Sequence, residues 1–300
     1  MEEDKTVKRQ YIKELVFGGG HMIAIFQYLG ALIELEKYDS INISNVERFL
    51  GSSAGAILAF LLIIGLTPKE ILNILIKIPY EKLGETNSKD YLYLFDDLGI
   101  TDTLLFKKIF NVALEYKKLP KNITFEQLNA ILKKDLTIIS FCVNSKDIKV
   151  LNHVFTPNLE VTHALCMSVA IPLLFKPVSY ENRLYIDPCI TCNFPIDFIT
   201  HYDDFLGFTT DRTRVYEEDI GFKKYLKILW TSIGNEFLEL KRINCHNPER
   251  LFIFKSSYEH KGFNFTEEDI HSYIKIGKIQ IKEHVDNFLI NVEKKNAETM

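Results

Sequence analysis

The sequence predicts an α/β fold in three layers, a mostly parallel central sheet flanked by helices, in a single domain spanning residues 1–300. Three observations carry that prediction. Apolar runs of strand length alternate with runs of helix length from the first apolar segment onward, the pattern of parallel strands joined by covering helices. No linker, repeat or low-complexity segment divides the chain. Hydrophobic residues make up 47% and charged residues 25%, which is ordinary for a globular protein able to bury a core.

Taken in order, residues 14–20 read as an apolar strand running into Gly18-Gly19-Gly20. Residues 21–38 follow as a helix, with Ile25, Leu29, Leu32 and Leu35 at helical spacing. A second strand at 46–50 feeds a helix at 54–66. Spanning a bilayer takes about 20 apolar residues, so this shorter run predicts a buried helix. Thr67-Pro68 caps and opens another helix through residue 78. Residues 82–99 read as a polar and aromatic loop or lid, in which Tyr91-Leu92-Tyr93-Leu94-Phe95 is either an interfacial patch or a core strand. Residues 102–118 form an amphipathic helix, and Thr124-Phe125-Glu126-Gln127 is a capping box opening the next. Residues 136–144 and 147–155 pair as strands around Ser145-Lys146. A short helix at 162–170 stops before Pro172, and 183–187 is a strand end. From about residue 218 the chain is expected to be a largely helical segment packed on the domain: helix 218–240, strand 250–255 and a long helix at 266–294 behind a second cap.

Charge and cysteine usage narrow the function classes. A formal net charge of −4 offers no basic face to nucleic acid. The five cysteines are odd in number and irregularly spaced, and residues 1–10 are charged and polar, so reduced thiols in a cytoplasmic setting are expected. Cys189-Ile190-Thr191-Cys192 has CxxC spacing but no second ligand pair, so neither a metal nor another cofactor is expected.

The chemistry centres on Gly51-Ser52-Ser53-Ala54-Gly55, which sits between a strand and a helix. In that context GxSxG reads as a nucleophile elbow. The flanking glycines let a tight turn pass its neighbours, and Ser53 is left at a helix N-terminus, where amides and dipole favour a developing oxyanion. Gly18-Gly19-Gly20 present a second stretch of bare backbone to an anion. They lack both the Gly-Lys-Ser/Thr of a P-loop and the GxGxxG of a dinucleotide site. A serine nucleophile needs a base. None of the eight histidines stands out; His21 adjoins the glycine turn, but its place early in a helix suits a surface residue equally well. Asp187, after Leu184-Tyr185-Ile186 and before Pro188, is the best carboxylate candidate, although turn formation alone would explain it.

Gly18-Gly19-Gly20, the Ser53 pentapeptide, Ser168-Val169-Ala170-Ile171-Pro172 with Phe175-Lys176-Pro177, and Asp187 with Asn193 and Pro195 together resemble the patatin-like phospholipase family over about residues 12–200. The stretch GFNFTEEDIHSYIKIGK is similar to the late segment of some viral and bacterial members. The resemblance implies the patatin-like fold and a Ser–Asp dyad that cleaves lipid esters without histidine or calcium. It assigns the nucleophile to Ser53, the general base to Asp187 and the oxyanion donors to the backbone of Gly18, Gly19 and Gly20. It also implies a phospholipid or other lipid ester as substrate, with peripheral membrane contact. Two positions depart from the pattern: His21-Met22 stands where a basic residue and glycine are usual, and Pro188-Cys189 where glycine follows the aspartate. Both bear on site geometry, and they leave open a catalytically weak or inactive lipid- or protein-binding module.

Overall fold

The structure is a computed structural model that describes residues 10–38, 41–43, 45–83, 94–212, 220–256 and 263–298. β1 (Gln10–Tyr11) and β2 (Glu14–Phe17) lead through the three glycines into α1 (His21–Leu35). β3 (Ile41–Asn42) pairs with β1, and β4 (Arg48–Ser52) then runs directly into α2 (Ala54–Ile63). α2 is apolar throughout and buried at nearly every position, as a helix enclosed on all sides must be. Among the described residues, no helix is long and apolar enough to cross a membrane. α3 (Pro68–Leu75) opens on a reciprocal capping box between Thr67 and Glu70. Residues 84–93, which include Tyr91, Leu92 and Tyr93 of the expected lid, lie outside the described residues. After them come α4 (Leu94–Asp97), β5 (Gly99–Thr101) and α5 (Leu104–Tyr116). α6 (Phe125–Leu132) starts at the expected box, Thr124 with Gln127.

β6 (Asp135–Cys142) and β7 (Asp147–Leu151) form the expected antiparallel pair. α7 (Val161–Val169), β8 (Leu173–Phe175), β9 (Val178–Tyr180), β10 (Arg183–Ile186) and β11 (Phe205–Arg212) follow. The chain closes with α8 (Phe222–Ile243), β12 (Leu251–Ser256) and α9 (Glu267–Glu298). The main sheet runs β12-β11-β2-β4-β6-β10-β9, with β7 also paired to β6. β12, β11, β2, β4 and β6 are parallel, whereas β7, β9 and β10 make an antiparallel edge.

Sequence reasoning assigned no strand to β11, although it lies within the parallel ladder, between β2 and β12. Its pattern is broken by Gly207 and by the polar run Thr209-Thr210-Asp211-Arg212. Packing explains the glycine: a Cβ there would come within 2.9 Å of both Leu251 and the Phe194 ring. The C-terminal segment also joins the sheet itself, because β12 pairs with β11 along six residues.

Alternation along the strands separates two cores. Leu15, Phe17, Phe49, Leu136 and Ile138 face a large cluster under α1, α2, α5, α7 and α9. Val16, Leu50 and Ile139 face the other way, toward Phe194, Ile196 and Ile199, with Leu238 of α8 packed alongside. α1 is buried from Met22 to Leu35, and α9 crosses it closely. A Cβ at Gly30 would lie 2.1 Å from the Ile274 carbonyl, and one at Gly277 would lie 2.0 Å from that of Gln27. At the N-terminal ends of the strands, Arg48 ties the sheet together through Glu14 (3.1 Å), Asp135 (2.9 Å) and the Phe198 carbonyl (2.9 Å). The C-terminal ends are thereby left for chemistry, as is general for parallel α/β sheets.

Candidate active site

Ser53 sits where β4 meets α2, with φ 53° and ψ −125°. Positive φ is uncommon outside glycine, and such strain persists only where the surroundings enforce it. Here they do. The Ser53 N–H donates to Ser168 Oγ (2.9 Å), and that hydroxyl donates to the Ile139 carbonyl of β6 (2.6 Å). The neighbouring Ser52 hydroxyl donates to the Cys192 carbonyl (3.0 Å). Both glycines of the pentapeptide are required by close approach. A Cβ on Gly51 would lie 2.5 Å from Ala56 Cα, and one on Gly55 would lie 2.2 Å from the Phe17 carbonyl.

Asp187 directly follows β10, which the antiparallel pairing with β6 brings alongside the parallel ladder. Its N–H donates to the Ala170 carbonyl at the end of α7 (2.9 Å). Its two carboxylate oxygens are then shared between two donors. The Ser53 hydroxyl donates to Oδ2 at 2.5 Å, and the Cys189 N–H donates to Oδ1 at 2.9 Å. Pro188 has no N–H to give, so the residue after it supplies the contact. The two expected site residues, 134 positions apart in sequence, are therefore in direct contact.

Ser53 is 7% exposed and Asp187 2%. Burial pushes Asp187 up from the ordinary carboxylate range to about 6, while the hydrogen bonds from Ser53 and Cys189 pull the other way. A carboxylate that titrates near neutrality can carry a proton in one step of a reaction and release it in the next.

The glycine turn lies against this pair, since a Cβ on Gly19 would come 3.0 Å from Ser53 Cβ. The amides of Gly18 and Gly19, both expected oxyanion donors, are engaged by Phe208 O (2.8 Å) and Asn193 O (2.7 Å). Among the described residues, no acceptor takes the amide of Gly20 or of Ala54. His21 is not a surface residue: it is half-buried at φ 64°, with its ring 4.6 Å from Phe263 and 5.9 Å from Phe265. All five cysteines are free thiols, and Cys192 Sγ lies 3.4 Å from Lys241 Nζ. Among the described residues, no group of three or more His, Cys, Asp or Glu side chains could hold a metal ion.

Sequence reasoning quoted Ser168 without giving it a role and did not single out the Cys189 amide or Thr210. The last shapes the turn, because a Cβ on Gly20 would meet Thr210 Oγ1 at 2.5 Å. The Ser168 signal was present, as a serine in the block that ends at Pro172.

Residues 15–199 match the family model described as patatin-like phospholipase. A protein of Invertebrate iridescent virus 6, described as a probable lipid hydrolase, is 34% identical over 200 residues, covering 66% of each chain. An uncharacterised protein of Acanthamoeba polyphaga mimivirus is 30% identical over 206 residues, 68% of this chain and 66% of its own. The match thus spans just under two thirds of each viral relative's length. VipD of Legionella pneumophila superposes with a TM-score of 0.58 at 15% identity, covering 96% of this chain and 72% of that one. The type III effector ExoU superposes at 0.54 and 14% identity, covering 94% of this chain and 54% of that one. These two likenesses share the fold: a central sheet flanked by helices. With the family model spanning well over half its length, the chain belongs to the patatin-like phospholipase family.

Proposed function

We propose that the protein is a serine lipid acyl hydrolase acting through a Ser53–Asp187 dyad and an acyl-enzyme. The observation that carries this reading is the 2.5 Å hydrogen bond from the strained Ser53 hydroxyl to a buried carboxylate titrating near 6. Ser53 Oγ attacks the ester carbonyl while Asp187 Oδ2 accepts its proton. The carbonyl oxygen gathers negative charge and is stabilised by the amides of Gly20 and Ala54 and by the N-terminus of α2. Gly19 contributes by letting backbone approach Ser53, and Gly18 by clearing Thr209 and the Phe194 ring. Protonated Asp187 then gives its proton to the departing alcohol, leaving the acyl group on Ser53. Water repeats the sequence: Asp187 takes a proton from it, the fatty acid leaves, and the serine hydroxyl is restored. No histidine is needed, because the carboxylate touches the nucleophile directly.

Family membership and the viral relative's description support a phospholipid or related lipid ester as substrate. Such a substrate lies in a membrane, so a peripheral membrane encounter belongs to this reading, and five free thiols suit a reducing, cytoplasmic setting. A fluorophosphonate probe tests the proposal. Wild-type protein is expected to be labelled and to release fatty acid from a mixed phospholipid panel, and Ser53→Ala to do neither. Well-folded wild-type protein that takes no label would instead mark a non-catalytic module.

A further inference from the structure

β11 outlasts the strand it lies beside. Its last pairing with β2 is Phe208 against Phe17, and it continues to Arg212 paired with β12 alone. Thr209 and Thr210 therefore stand next to the glycine turn, and both are buried. A Cβ on Gly18 would meet the Thr209 hydroxyl at 2.9 Å, and one on Gly20 would meet the Thr210 hydroxyl at 2.5 Å. The backbone polar groups of the turn can be followed one by one. The Gly18 N–H donates to the Phe208 carbonyl (2.8 Å), and the Gly18 carbonyl accepts from the buried Tyr28 hydroxyl (3.2 Å). The Gly19 N–H donates to the Asn193 carbonyl (2.7 Å). Two side-chain donors, Thr210 Oγ1 and Asn193 Nδ2, converge on the Gly19 carbonyl, each at a long 3.5 Å. The Gly20 N–H belongs to the same peptide unit as that carbonyl, and no acceptor takes it among the described residues.

We propose that Thr210, together with Asn193, is a positioning residue for ester cleavage: the two side chains hold and polarise the Gly19–Gly20 peptide so that its N–H serves the oxyanion. The inference rests on the hydrolase reading and deepens it. The first argument is orientation. A trans peptide sends its C=O and N–H in opposite directions. Glycine on both sides leaves this peptide little resistance to rotation, and Gly20 itself sits at φ 152°, a conformation that side chains rarely adopt. A half-turn would aim a carbonyl oxygen, instead of an N–H, at developing negative charge. Two donors converging on the Gly19 carbonyl favour the orientation that avoids this. The second argument is polarisation. When the Gly20 N–H donates to an oxyanion, electron density shifts through the peptide onto the Gly19 carbonyl oxygen and makes it a stronger acceptor. The contacts from Thr210 and Asn193 then strengthen as charge develops, so they favour the transition state over the ground state. Long contacts in the resting site fit bonds that tighten only under that load. Tyr28 does not share this role, because it serves the preceding peptide, whose N–H already donates to Asn193.

The test is steady-state hydrolysis of a soluble short-chain ester, p-nitrophenyl butyrate, by the full-length protein. Thr210→Val and Thr210→Ala remove the hydroxyl with and without the methyl group, and Thr210→Ser keeps the hydroxyl. Both hydroxyl-free variants should lose kcat on the order of 10-fold with KM unchanged, less than the loss of a direct oxyanion donor. Thr210→Ser should restore most of the rate. Adding Asn193→Ala to Thr210→Ala should bring the loss to on the order of 10²-fold. An acyl trifluoromethyl ketone adds the Ser53 hydroxyl and leaves an oxyanion in the same place, so its affinity should fall by the same factor as kcat. The pH midpoint near 6 should stay where it is, because Asp187 is untouched. Wild-type kcat in both Thr210→Val and Thr210→Ala overturns the inference. So does a Thr210→Ser as slow as Thr210→Ala, which would trace the loss to the methyl group, or a loss carried by KM alone. Those outcomes leave the hydrolase reading intact. Folded wild type that cleaves no ester and takes no fluorophosphonate label overturns that reading and this inference together.

Discussion

The two faces of the central sheet are built to different depths. One is sealed beneath α1, α2, α7 and α9, with Phe26, Phe60, Phe110 and Tyr273 among its fully buried rings. The other is covered by the 190–199 segment and α8, and α8 leaves an apolar line in water. The site draws on both. Ser53 belongs to the strand that enters α2 on the sealed side, and the turn after Asp187 passes to the open side beneath α8. A serine held at φ 53° needs a rigid foundation, while a substrate needs an approach. The sealed face supplies that foundation.

The largest expected effect lies on the sealed face. Phe60→Ala removes a fully buried ring packed edge-on to Phe110, and should cost about 3–5 kcal/mol in urea unfolding. A cost under about 1 kcal/mol would mean that face is not the foundation. Asp187→Asn comes next, and its sign is opposite. The folded-state pKa of Asp187 is raised, so this group's contribution to stability is fully present below the ordinary carboxylate value and is lost as pH rises through about 6. At pH 8 the asparagine variant should therefore be the more stable protein, by about 3 kcal/mol, with the gap closing as pH falls toward 4. Melting both proteins across that range measures the difference directly.

Ser168→Ala probes the joint between the faces. It removes the acceptor of the Ser53 N–H and should cost about 1–3 kcal/mol of stability, with a rate loss on the order of 10²-fold from displacement of the nucleophile. A variant that loses stability but keeps the full rate would show that the elbow holds itself. Smallest of all is Ile233→Ser on the open face, which should shift unfolding by no more than about 0.5 kcal/mol.

The parts of the fold that could be read from sequence were those whose local pattern and tertiary role agree. The strand–glycine–helix runs around Gly18–Gly20 and Ser53, the Thr124 box and the β6–β7 pair all carry local signals of that kind. β11 was missed because its place between β2 and β12 depends on a glycine that clears Phe194 and Leu251, and that reason exists only in three dimensions. Ser53 stood out as the candidate nucleophile through its pentapeptide taken together with the strand before it and the helix after it. Asp187 needed the resemblance, because a lone aspartate before proline has an ordinary turn explanation. For the expected oxyanion donors, three consecutive glycines announce bare backbone, but which of their amides are already engaged depends on the positions of Phe208 and Asn193. Pro188 gave the sequence reason to doubt the base, and the fold answers with the amide of Cys189.

The central claim is that one buried carboxyl activates one strained hydroxyl, and the rate of fluorophosphonate labelling as a function of pH tests it most directly. The account predicts that the wild-type rate rises to a plateau with a midpoint near 6, and that Asp187→Asn labels more slowly, on the order of 10²-fold or more, with no such rise. Superimposable profiles for the two proteins, or undiminished labelling of Ser53→Ala, would contradict it.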